Sequence, residues 1–183
     1  MKINFSNRIF RILIAALLFF SCASDLDFDQ TKDLKLEPVI VANFAYFDLP
    51  VSDFGYGGDG EIAFDAKEFE VFKEQFLREN LVRADIDFEI ENTISRAFIV
   101  DLQLLDTNSQ ILETLRFSIP ANSGSANVVK YPTEVFQNQR LDLLKQTVQI
   151  GFVVRMLPGT PLDQNSIGNI KLRSGGTVYF EIK

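Results

Sequence analysis

From Val82 to Glu91 the chain alternates without a break. Val82, Ala84, Ile86, Phe88 and Ile90 are apolar, while Arg83, Asp85, Asp87, Glu89 and Glu91 are charged. Side chains of a strand point to opposite faces at every step, so this pattern puts one face on a core and the other in water. That is the mark of an antiparallel strand, since strands of a parallel sheet are apolar on both faces. Phe98, Val100, Leu102 and Leu104 repeat the pattern, and Asp106-Thr107-Asn108-Ser109 supplies turn chemistry before Ile111 to Ile119 returns. Together these predict a hairpin. Val148, Ile150, Phe152, Val154 and Met156 form a further alternating strand. A short strand at Ile170 to Arg173, a turn at Ser174-Gly175-Gly176 and a last strand through Val178, Phe180 and Ile182 complete the C-terminal part.

Other segments depart from period two. Val39 to Phe47, dense in β-branched and aromatic residues, is expected to be a strand buried on both faces. Val51 to Gly60 holds Gly55, Gly57, Gly58 and Gly60 and predicts a loop. Asp65 and Glu68 have the spacing of a capping box that would open a helix running through Asn80, with Phe69, Phe72 and Phe76 on one face. A competing reading keeps 62–72 partly extended and confines the helix to the region of Lys73 to Asn80. Glu134 to Lys145 is a second candidate helix, Pro120 to Asn127 and Pro158 to Pro161 predict loops, and no internal repeat is found. Six or more antiparallel strands without βαβ alternation predict a mainly β fold: an antiparallel β-sandwich, immunoglobulin- or fibronectin-like, with one or two short helical insertions.

The first residues carry a different signal. Lys2, Arg8 and Arg11 precede an apolar run from Ile12 to Phe20, which is too short to span a bilayer as a mature helix, and Ser21 stands before Cys22, the only cysteine. This leader resembles the relaxed signals of Bacteroidota-type lipoproteins, and the whole chain resembles uncharacterised lipoproteins of that kind. The resemblance implies cleavage after Ser21 and lipidation, including palmitate-like acylation, of Cys22. Two acyl chains already give stable anchoring, at about 0.8 kcal/mol per buried methylene. The expected organisation is a signal peptide over 1–21, a lipidated cysteine and acidic tether over 22–37, and a sandwich domain over 38–183. No aspartate follows Cys22 directly, which favours the outer membrane. The acids that alternate with Leu26 and Phe28 resemble a surface-export signal, so exposure outside the cell is part of the expectation.

Composition narrows the chemistry. There is no histidine, so triads built on it are excluded. With Cys22 committed to lipid, disulfides, thiolate catalysis and cysteine-ligated zinc are excluded as well. The net charge of −7 becomes −10 when the three basic residues of the leader are removed, and no basic cluster stands out, which argues against nucleic acid as a partner. Asp25, Asp27 and Asp29 mimic the start of a calcium loop, but Gln30 takes the place of its turn glycine and Leu36 that of its bidentate glutamate. No metal and no cofactor is expected.

Two surface features remain. Asp85, Asp87, Glu89 and Glu91 line one strand face at about 7 Å intervals. They read either as a wet face paired with Arg96, Arg116, Lys130 and Arg155, or as the paired acids of a glycosidase. Tyr46, Phe54, Tyr56 and Asp59 are a candidate binding surface, because aromatic side chains give large contact area at low entropic cost. The alternative for Phe54 or Tyr56 is to fold back over the core edge. Asp53-Phe54-Gly55 matches a kinase tripeptide with none of its companions and is discarded.

Asn92-Thr93-Ile94-Ser95-Arg96-Ala97-Phe98, followed by Ile119-Pro120-Ala121-Asn122, vaguely resembles the late-embryogenesis-abundant type-2 sandwich over residues 82–132. The usual asparagine-proline-asparagine turn is missing, and the likeness bears on fold alone. The function expected is a non-enzymatic binding or structural module of the cell envelope, held to the membrane by lipid and facing an unknown protein or glycan. The alternative is a carboxylate-dependent hydrolase of envelope or external polysaccharide.

Overall fold

The computed structural model describes residues 35–54, 61–65, 74–124 and 127–182. Within 36–182 the elements follow one another as β1 (Val39–Pro50), a 3-10 turn (Val51–Phe54), β2 (Glu61–Asp65), α1 (Gln75–Asn80), β3 (Leu81–Asn92), β4 (Phe98–Leu105), β5 (Ile111–Ile119), β6 (Asn127–Lys130), β7 (Glu134–Phe136), α2 (Gln139–Gln146), β8 (Gln149–Met156) and β9 (Asn169–Phe180). They form two antiparallel sheets. One has the order β1-β9-β3, with β6 and β7 both pairing the far side of β3; the other has the order β2-β8-β4-β5.

The alternation of β3 does what period two demands. Ala84, Ile86, Phe88 and Ile90 are buried against Phe98, Val100, Leu102 and Leu104 of β4, Phe117 of β5 and Phe152 of β8. Aromatic rings tie the two sheets together: Phe88 meets Phe117 at 4.9 Å between centroids, and Phe47 of β1 meets Phe152 at 5.2 Å. At the start of β3 the register shifts between Leu81 and Arg83, so Leu81, not Val82, takes the inward position and Val82 is exposed. The β4–β5 hairpin is as expected. Its turn is fixed by Asp106, whose carboxylate accepts the Asn108 and Gln110 N–H groups at 2.8 Å each. These donors hold its carboxyl below the usual range.

Several expectations are corrected. Strand β1 is not buried on both faces: among the described residues it is the edge of its sheet, and Val39, Ile40 and Val41 are exposed. The folded body begins ahead of it, since Leu36 and Ile182 exchange two backbone hydrogen bonds, at 3.1 and 2.9 Å. Asp65 is the last residue of β2 and the described helix is Gln75–Asn80, with Phe76 exposed, which agrees with the competing reading of an extended stretch followed by a short helix. Glu68, the partner of the expected capping box, lies outside the described residues. Phe69 and Phe72 lie outside the described residues. Residues 134–145 divide into β7 and α2, with Asn138 at positive φ between them. The Ser174-Gly175-Gly176 turn does not exist, because β9 runs straight through it between two neighbours. Ser174 serves the strand beside it. The register of β1 slips between Asn43 and Tyr46, and the Ser174 hydroxyl accepts from the Ala45 N–H at 2.6 Å and donates to the Ala45 carbonyl at 2.8 Å. A buried bulge is thereby satisfied by a side chain.

Candidate functional site

The outward positions of β1, β9 and β3 are set by register. Asn43 stands beside Gly175, which stands beside Asp87, and Tyr46 stands beside Arg173, which stands beside Glu89. At the centre of this face Gly175 has no side chain, and a Cβ built there would meet nothing within 4 Å. The gap is the floor of an open depression of about 470 Å³ walled by Asn43, Asp87, Glu89, Lys130, Tyr131 and Arg173. Tyr46, not itself part of the wall, stands across the ladder from Arg173 and is 61% exposed.

The charges around the floor are of both signs. Arg173 reaches Glu89 and Glu91, both at 3.2 Å, and Lys130 lies 3.6 Å from Glu89. Asp87 is exposed and accepts the Thr133 hydroxyl at 2.5 Å. Among the described residues no cation pairs with it. Tyr131 closes one side, its hydroxyl donating to the Ser118 carbonyl at 2.9 Å and its ring 4.8 Å from Phe117. Burial pushes its phenol up to about 12, so it remains a neutral donor across the physiological range.

Of the four cations expected to pair with the acidic row of β3, only Lys130 does so. Arg116 and Arg155 turn to Asp101 on the other sheet, Arg116 in a two-pronged pair at 2.7 and 3.0 Å. Arg96 is buried and donates to the carbonyls of Thr160, at 2.6 Å, and Leu157. The remaining partners are Arg83, 2.6 Å from Asp85, and Arg173, neither singled out by the sequence pattern. The candidate surface also divides. Tyr46 is exposed as expected, whereas Phe54 is 7% exposed, its ring 5.0 Å from that of Phe98. Phe54 therefore covers the core edge. Tyr56, Asp59 and Cys22 lie outside the described residues. Asn43 and Gly175 were missed because the glycine pair reads as a turn and β1 as an interior strand. Among the described residues no cluster of three or more metal-ligating side chains occurs, and no helix is long and apolar enough to cross a membrane.

No family model and no curated protein matches the chain. Among solved structures it is similar to a protein of Parabacteroides distasonis described as a "putative secreted protein", at 12% identity and a TM-score of 0.44, over 68% of this chain and 38% of that one. It is also similar to the VP2 subviral particle of infectious bursal disease virus, at 9% identity and a TM-score of 0.40, over 79% and 37% of the two chains. Desmodium yellow mottle tymovirus matches at 10% identity and a TM-score of 0.33, over 81% of this chain and 90% of that one. The chain spans well under half the length of the first two.

Proposed function

We propose that this chain is a lipid-anchored, non-enzymatic module of the cell envelope that binds a neutral glycan on the outer face of β1, β9 and β3. The observation that carries the reading is the side-chain-free floor at Gly175, ringed by Asn43, Asp87, Glu89, Lys130 and Arg173, with exposed Tyr46 across the ladder from Arg173. A sugar ring offers an apolar C–H face that packs on an aromatic ring, and hydroxyls that both donate and accept. Carboxylate, amide, ammonium and guanidinium groups around one hollow supply both kinds of partner. Because the wall mixes carboxylates with cations, a strongly charged ligand of either sign meets a like charge. Neutral sugars do not.

The hydrolase alternative draws on Asp87 and Glu89 lining the same depression. The paired acids of a glycosidase flank a sugar held inside a cleft, whereas Asp87 is open to solvent and Glu89 touches two cations. Anchoring at Cys22 on the outer membrane rests on the leader alone. Lipid labelling, fractionation and protease accessibility of the wild type and Cys22→Ser on intact cells test it.

The binding test is an array of neutral oligosaccharides probed with residues 22–183 carrying Cys22→Ser, followed by calorimetry on the strongest binder. Tyr46→Ala, Asp87→Ala and Gly175→Val are each expected to weaken binding at least tenfold while leaving thermal unfolding in place. Binding indifferent to all three, no binding to any neutral glycan, or release of reducing ends that stops in Asp87→Asn overturns the proposal.

A further inference from the structure

The outer edge of β1, which pairs with no further strand among the described residues, has both halves of a peptide-binding device. Antiparallel partners alternate between pairs that exchange hydrogen bonds and pairs that do not. Leu36 exchanges two with Ile182, and Pro38 accepts from the Phe180 N–H at 3.1 Å, so the even-numbered residues up to Ala42 face β9. The N–H and C=O groups of Val39, Val41 and Asn43 therefore point away from the sheet. Among the described residues no strand lies beside them. From Pro38 to Phe47 this strand carries no charged side chain, and Val39, Ile40 and Val41 are 55%, 45% and 76% exposed. Soluble proteins usually blunt such an edge with lysine, proline or short strands. The opposite edge of the same sheet follows that rule, being divided between β6 and β7 of four and three residues.

On the inward side of the same strand lies an apolar cavity of about 150 Å³, lined by Ile40, Ala42 and Phe44 of β1, by Val178, and by Leu77 and Leu144 of the two helices. Its room comes from small residues on neighbouring strands: Gly176 beside Ala42, and Ala84 beside Val178. A cavity of this size with apolar walls holds a group about as large as benzene. A residue placed across from Ile40 or Ala42 on an added strand points to the cavity side, because directly opposed residues share a face.

We propose that the β1 edge binds an extended peptide as an added strand, with one large apolar side chain, phenylalanine, leucine or isoleucine, entering the cavity beside Ala42. The outward backbone groups of Val39, Val41 and Asn43 select a peptide over a lipid, since an acyl chain leaves them without partners. The uncharged run selects a segment with no charge at its centre. A second copy of this chain fits less well, because two paired edge strands alone fall short of the roughly 1,200 Å² that a stable dimer buries.

The probes are blocked nine-residue peptides with lysine at each end, threonine elsewhere and phenylalanine, leucine or alanine at the centre, followed by fluorescence polarisation on residues 22–183 with Cys22→Ser. The phenylalanine and leucine peptides are expected to bind at least tenfold tighter than the alanine peptide. Val41→Pro removes one outward donor without touching the β9 ladder, and Ala42→Phe fills the cavity; each is expected to lose at least tenfold in affinity with thermal unfolding retained. Gly175→Val, on the other face, leaves peptide binding unchanged. The proposal is overturned if none of the peptides binds or if the three bind alike. It is equally overturned if Val41→Pro binds as the wild type does, if decanoate alone occupies the cavity and excludes the peptides, or if sedimentation shows a dimer that Val41→Pro converts to monomer.

Discussion

Asp101 and Asp87 make an instructive pair. Both stand at outward positions near the middle of an interior strand, β4 in one sheet and β3 in the other, and both follow from the same period-two pattern. Their cross-strand neighbours separate them. Asp101 lies opposite Arg116 and within reach of Arg155, and the two guanidinium groups cover it until its side chain is 5% exposed. Asp87 lies opposite Gly175, which has nothing to offer it, and remains in water at the rim of a hollow. One carboxylate is thereby consumed by ion pairs within the fold, and the other, which accepts the Thr133 hydroxyl and meets no cation among the described residues, stays open to a ligand. The residue across the ladder, not the strand that carries the acid, decides which.

The largest expected effect comes from breaking the closed member of the pair. Asp101→Ala leaves two arginines facing each other without their shared anion and is expected to cost about 2 kcal/mol in urea unfolding, below the usual range for a fully buried pair because Arg116 is largely exposed. Asp87→Ala in the same assay stays within about 0.5 kcal/mol of the wild type. Equal losses would erase the distinction.

Next in size is the effect on binding, where the order reverses. Asp87→Ala and Gly175→Val are expected to lower glycan affinity at least tenfold, about 1.4 kcal/mol, while Asp101→Ala changes it little as long as the domain is folded. Gly175→Val should also keep the native melting temperature, since the added side chain enters open space.

Acid sharpens the contrast further. The hydrogen bond from Arg116 holds the Asp101 carboxyl below the ordinary aspartate range. A depressed carboxyl contributes its stability above the unfolded pKa of about 4 and loses it as pH falls from there through the folded value. The stability gap between the wild type and Asp101→Asn should therefore shrink as pH is lowered from about 5 to about 2, by urea unfolding at each pH. A gap constant across that window would contradict the assignment.

The smallest effect belongs to the ladder beside the hollow. Glu91→Gln removes one exposed contact of Arg173 and is expected to change stability by no more than about 0.5 kcal/mol.

Strand pattern was legible where one face met water. The alternations of β3, β4 and β8 marked inward residues that are buried, apart from Val82 and Val148 at the leading ends of β3 and β8, and the β4–β5 hairpin was visible from its turn residues. Legibility failed where the pattern depended on a neighbour far away in the chain. An apolar run such as β1 reads the same whether it is interior or edge, and its place was decided by β9, more than a hundred residues later. Gly175-Gly176 has the composition of a turn, yet in β9 the absent side chains leave a hollow on one face and contribute room to a cavity on the other. The same limit applies to the candidate site. Tyr46 was visible as an aromatic in a strand, but Asn43, Asp87 and Arg173 converge only through the register of three strands. Choosing cations by sign alone also misassigned Arg96, Arg116 and Arg155, because pairing follows register and burial.

The most direct test of the binding face is a ¹⁵N–¹H spectrum of residues 22–183 carrying Cys22→Ser, titrated with the neutral oligosaccharide that binds best on the array. The account predicts saturable shifts centred on Asn43, Tyr46, Asp87, Arg173 and Gly175, and their absence in Gly175→Val. Shifts confined to other surfaces, such as the loop from Pro158 to Ile167, or shifts that persist unchanged in Gly175→Val, would contradict it.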